Sequence, residues 1–159
     1  MSQLTPRPVP ALSVKLAPPS SNLRTELLLV EGAHPAYGYQ PSRLLTEVGD
    51  EARGMLAAYE SCKAPPSKGL IDAWLKPLVS AVRNPPCRSD FDEMVRLLVL
   101  VLDDTPSVML TEESQINAMR EFAFWPATAD IYKFLLPQAN AFYKRRYALM
   151  EIVNSIPVA

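Results

Sequence analysis

Proline most constrains what this chain can fold into. It has sixteen prolines against five glycines in 159 residues, and Pro6, Pro8, Pro10, Pro18, Pro19, Pro35 and Pro41 all fall within the first 41. Each proline removes a backbone donor and disfavours helical geometry in the residue before it. Residues 1–41 therefore read as a proline-rich, largely flexible arm. One stretch inside it departs from that pattern. Leu23 to Glu31 (LRTELLLVE) has no proline and reads as a short helix or strand, one that docks on the folded body or awaits a partner.

Beyond Pro41 the remaining prolines act as punctuation between apolar stripes of helical period. Leu44, Leu45, Val48, Met55, Leu56 and Tyr59 mark a first helix ending near Ser61. After APPS, Ser67 is placed to cap a second, with Leu70, Ile71, Trp74, Leu75, Leu78, Val79 and Val82 on its buried face. Pro77 lies inside that stripe and predicts a kink rather than two elements. After RNPPCRSD, Ser89 or Asp90 is expected to cap a third helix carrying Phe91, Met94, Val95 and the run LLVLVL. A continuous apolar run also suits a buried strand, but the acidic approach favours a helix buried on most sides. PSVML reads as a single turn, and Thr111 as the cap of a fourth helix with Glu112 and Glu113 in its first turn. Pro126 is expected to start a fifth, Pro137 to break or kink it, and a sixth to follow through Phe142, Tyr143, Tyr147, Met150 and Val153. The expected fold is all-α, a compact bundle of five to six helices over residues 42–156 behind the arm.

Several function classes lose their usual signals. The formal net charge is −1, which sets no global field toward nucleic acid or membrane. Cys62, Cys87 and the single histidine, His34, cannot complete a structural zinc site. His34 sits in the arm, where it reads as a solvated loop residue rather than a catalytic base. The chain lacks GxxxxGK[ST], GxGxxG and HExxH. Asp103-Asp104 before Thr-Pro reads as a helix-terminating turn pair rather than a metal site. The expectation is a cytoplasmic protein that is not an enzyme, with no catalytic residue, cofactor, metal or small-molecule substrate. No early apolar segment suggests secretion, and the longest apolar run is too short to span a bilayer.

Two local features are candidates for contact. Lys144, Arg145 and Arg146 are consecutive and flanked by aromatics. Successive helical residues are about 100° apart, so the three fan out too widely for one tight patch. They read as a solvated face or as a weak nucleic-acid contact. The other feature is Phe124-Trp125-Pro126, bulky aromatics at a joint between helices. Trp125 either staples the joint by packing on Ile131 or Phe134, or leaves an edge free for a partner.

The run from about Trp74 to Ile152 resembles a group of small phage and prophage replication accessory proteins, themselves similar to bacteriophage replicative-helicase loaders. The resemblance rests on WLKPLVSAVRNPP, on LDDTP and on TEESQINAMREFAFWPATADIYKFL. After the proline, where these proteins carry a capping Ser or Thr, this chain has Ala127, with Thr128 one place later. The resemblance implies a helical adaptor that acts by protein–protein contact, its partner a DnaB-type replicative helicase. Phe124, Trp125 and the arm residues Leu27, Leu28 and Val30 are the candidate contacts, with Lys144, Arg145 and Arg146 nearest nucleic acid. The alternative is a generic helical interaction or regulatory module in another phage process, such as assembly or host takeover.

Overall fold

The computed structural model describes residues 12–158, so residues 1–11 of the arm lie outside the described residues. The chain is all-α: α1 Ser21–Glu31, α2 Leu45–Cys62, α3 Lys68–Ala81, α4 Arg88–Val101, α5 Glu112–Glu121 and α6 Thr128–Ser155, with a 3₁₀ turn at Ser107–Met109. No strand occurs among the described residues. These helices serve two separate units, one from residues 1–15 and 64–136, the other from residues 16–63 and 137–159.

The helix starts follow local capping chemistry. Ser67 Oγ accepts the Leu70 N–H at 3.2 Å and opens α3, which continues as one helix through Pro77. Thr111 Oγ1 accepts the Ser114 N–H while Ser114 Oγ accepts the Thr111 N–H, a capping box built with serine. α4 starts earlier than expected. Its N-cap is Cys87, whose side chain makes no capping bond, rather than Ser89 or Asp90. The LLVLVL run is helical but buried on one side only. Leu98 and Leu102 are core residues, whereas Val99, Leu100 and Val101 face outward.

In the first unit the core joins Trp74, Leu75 and Leu78 of α3 to Val95 and Leu98 of α4, Ala118 of α5 and Ile131 and Leu135 of α6. Trp74 is its largest fully buried side chain. Its indole Nε1–H donates to Ser114 Oγ at 3.0 Å, and Gln115 Nε2 donates to the Trp74 carbonyl at 3.0 Å. Polar groups inside a core must be paired in this way, because an unpaired one keeps its desolvation cost. The described start of the arm belongs here as well. Leu12 packs on this core, the Ser13 N–H donates to the Leu110 carbonyl at 3.1 Å, and Lys15 pairs with Glu113 at 3.0 Å.

The second unit contains the part of the arm that departs most from the flexible reading. Leu23 and Leu27 of α1 pack with Leu45, Val48 and Ala52 of α2 and with Ala148, Leu149 and Ile152 of α6. Ser20 caps α1 by accepting the Leu23 N–H, and its hydroxyl donates to Glu51 at 2.6 Å, fastening the cap to α2. Glu26, on the same face, is fully buried; its carboxylate accepts from the Tyr39 and Ser42 hydroxyls and the Ser42 N–H. Leu23, Leu27, Val30 and Tyr39 thus anchor the stretch from residue 16 to residue 41 in this unit.

Among the described residues, the six helices arise differently from the expected ones. α1 supplies a helix within the arm, and α6 runs unbroken through Pro137. Pro137 falls where α6 passes from the residues of one unit to those of the other.

The Tyr39–Glu26 bond carries a pH signature. Burial first, then the hydrogen bond to Glu26 and its charge, push the Tyr39 phenol well above its usual value. The folded state then keeps a proton that the unfolded chain releases near pH 10, so folding stability falls as pH rises above about 10. Urea unfolding followed between pH 8 and 11 should show that decline, and Tyr39→Phe should reduce its slope. An identical slope in the variant would remove Tyr39 as its source.

Candidate interaction surface

The joint between α5 and α6 is set by two backbone ties to the end of α3. The Arg83 N–H donates to the Ala123 carbonyl at 2.9 Å, and the Trp125 N–H donates to Asn84 Oδ1 at 2.7 Å. RN of RNPP and AFW of FAFWP are thereby held side by side. α6 begins at Thr128, with Asp130 Oδ2 accepting the Ala127 N–H at 3.0 Å. That is the return half of a capping box; the forward half, an N-cap hydroxyl accepting a first-turn N–H, is missing because residue 127 is alanine.

The three aromatics of the joint have different roles. Phe122 turns inward and meets Phe134, ring centroids 5.6 Å apart. Trp125 is half-buried and lies against Phe91 of α4 at 6.0 Å. Its ring partner is Phe91 rather than Ile131 or Phe134, and Phe134 is met by Phe122 instead. Phe124 is 57% exposed, and the Arg83 guanidinium carbon sits 5.8 Å from its ring centroid. An exposed aromatic, a half-buried indole and a cation stacked on the aromatic face therefore occupy one pinned corner of the first unit.

The arm residues do not form one surface. Leu27 is 1% exposed in the second core and is not available to a partner, Val30 is half-buried, and Leu28 is 61% exposed. The helical period explains the split: Leu23, Glu26, Leu27 and Val30 share the inner face, and Leu28 lies about 100° around from Leu27. The basic run is divided too. Arg146 bonds Glu60 at 2.5 Å, and Lys63 reaches the same carboxylate at 2.7 Å. Hydrogen bonds from Lys63 and then Arg146 hold the Glu60 carboxyl below its usual range. Arg145 is half-buried beside Tyr59, whose phenol burial pushes up and Arg145 pulls partly back. Of the three basic residues, only Lys144 is exposed.

Other candidates are local in character. His34 is exposed, its Nδ1 accepting the Ala36 N–H at 3.1 Å within a tight turn closed by Gly38 at φ 67°. Both cysteines are free thiols. Among the described residues, no three His, Cys, Asp or Glu side chains gather where a metal ion would be held. Among them also, no helix is long and apolar enough to cross a membrane.

Fold and site together define an all-α chain with an aromatic–guanidinium corner tied by two hydrogen bonds. No protein-family model matches the chain, and no curated protein or solved structure matches it significantly.

Proposed function

We propose that this protein is a non-enzymatic adaptor that works by protein–protein contact through the corner formed by Phe124, Trp125 and Arg83. The observation that carries this reading is Phe124. A large aromatic stays mostly in water, although the backbone on both sides of it is pinned to the end of α3. Aromatic and arginine side chains on a preorganised support are the groups that supply most of the binding energy at protein interfaces. In this reading the partner is a DnaB-type replicative helicase and the protein a loader-like accessory of phage-type DNA replication. That choice rests on the resemblance of the region from Trp74 to Ile152. Lys144 is the residue left to meet nucleic acid weakly, since Arg146 is engaged by Glu60.

Co-purification of the full chain with a purified DnaB-type helicase, read by intact-complex mass, tests the proposal. The expected result is a complex at micromolar concentration that Phe124→Ala weakens at least tenfold while the far-ultraviolet circular dichroism stays unchanged. Absence of a complex with the unaltered chain would sink the helicase reading and leave the generic interaction module.

A further inference from the structure

We infer that the Phe124 corner takes an acidic partner segment, one that sets a carboxylate beside a bulky apolar side chain. This rests on the reading of the corner as a protein-contact site and specifies the chemistry that would fill it. The argument begins with charge. Arg83 is exposed and, like Arg24, Arg43, Arg88 and Arg120, has no carboxylate within ion-pair distance among the described residues; unlike those four, its guanidinium lies over an aromatic ring that is itself exposed. Arg83 is held in place twice, by its N–H on the Ala123 carbonyl and by its guanidinium over the Phe124 ring. Arg88 opens α4 one turn before Phe91, the ring that backs Trp125. A guanidinium lying on an aromatic face keeps its N–H edge free, and that edge matches a carboxylate with two parallel hydrogen bonds. The exposed Phe124 ring and the open edge of Trp125 supply the apolar half of the site.

A nucleic-acid strand fits the same corner less well. Asp90 and Asp92 stand on the first turns of α4, and Glu121 ends α5, all three exposed. A phosphate backbone brings charge at every nucleotide and needs several cations along its track. Arg83 is the cation placed on the Phe124 ring, enough to pair with one acidic side chain but not to track a continuous polyanion.

Fluorescence anisotropy tests this with the full chain and three labelled peptides of equal length. One carries Asp and Glu around Phe and Leu, one carries Asn and Gln in place of the acids, and the third carries Lys. The acidic peptide should bind, and the carboxamide peptide should bind about tenfold more weakly. Arg83→Gln should weaken the acidic peptide by a similar factor, while Lys144→Gln should leave it unchanged. No binding of the acidic peptide, equal binding of the carboxamide peptide, or indifference to Arg83→Gln would overturn the inference. So would oligo-dT displacing the acidic peptide and itself depending on Arg83. The helicase complex separates this from the adaptor reading. If Arg83→Gln and Phe124→Ala are compared on it, loss with Phe124→Ala alone keeps the adaptor and removes the acidic chemistry. Acidic-peptide binding that needs Arg83, with no helicase complex, keeps the chemistry and removes the helicase.

Discussion

Trp74→Ala should destabilise the first unit by about 3–5 kcal/mol, the usual cost of emptying a buried large aromatic site. Trp74 is 1% exposed, and its ring tilts toward Phe134 at 6.4 Å. Neighbours on α4, α5 and α6 are held by their own helices, so they cannot all move in to fill the space. The indole also has a polar role. Ser114 Oγ receives Nε1–H, receives the Thr111 N–H, and donates to the Met109 carbonyl at 2.7 Å. One hydroxyl thus links α3, the cap of α5 and the 3₁₀ turn. Trp74→Phe keeps most of the apolar volume and loses only the indole donor, so it should cost far less than Trp74→Ala. Ser114→Ala strands a buried indole N–H and should cost about 1–3 kcal/mol. Urea unfolding with amide exchange read on α3 and α5 would check the series. Similar losses for Trp74→Phe and Trp74→Ala would show that the hydrogen bond, not the volume, dominates. Because whole domains are stable by only about 5–15 kcal/mol, the alanine variant should populate unfolded forms of this unit under mild conditions.

How far these features could be read from residue order depends on the distance over which their cause acts. Ser67 and Thr111 were identifiable as caps because the bond each makes reaches only three residues onward. The stripes of α3 and α5 were identifiable because period alone defines a face. α1 was only half visible. Its helical spacing is local, but its place in a core depends on Glu26 meeting Tyr39 and Ser42 and on Ser20 meeting Glu51, 31 residues away. The prolines around it pointed toward flexibility because no local rule sets that burial against them. Pro137 misled in the same way. A proline inside a helix loses one backbone bond and crowds the preceding turn, yet Leu135 before it and Ala139 and Phe142 after it are all buried. Packing on both sides outweighs a local penalty of about 3 kcal/mol.

The contact surface follows the same logic. Exposed aromatics at a joint could be suspected from FAFWP, but which ring points outward could not. Phe91 is 34 residues from Trp125, and Arg83 and Asn84 are some forty residues before the joint. The basic run shows the converse. Three adjacent cations looked equivalent, and only the fold brings Glu60 against Arg146 across 86 residues. In the sequence Arg83 and Arg88 only bracket NPPC. Only the fold sets the Arg83 guanidinium over Phe124.

Leu27 and Leu28 provide the sharpest separation of core from surface in the former arm, because they are neighbours with opposite surroundings. Leu27→Ala should cost about 2–5 kcal/mol, since its side chain is 1% exposed among Leu23, Val48, Leu149 and Ile152. Leu28→Ala removes a side chain that is 61% exposed and should change stability by less than about 0.5 kcal/mol. Amide exchange on α1 and α2 reads both. Loss of Leu27 should speed exchange across the two helices together, because the cap serine on Glu51 and the Glu26 carboxylate depend on α1 keeping its place against α2. Any effect of Leu27→Ala on partner binding should then track unfolding and vanish at low temperature or in stabilising osmolyte. A Leu28→Ala effect, if one exists, should persist under those conditions. If Leu27→Ala leaves stability unchanged but abolishes binding, then α1 is a free contact segment and its packed position in the second unit is wrong.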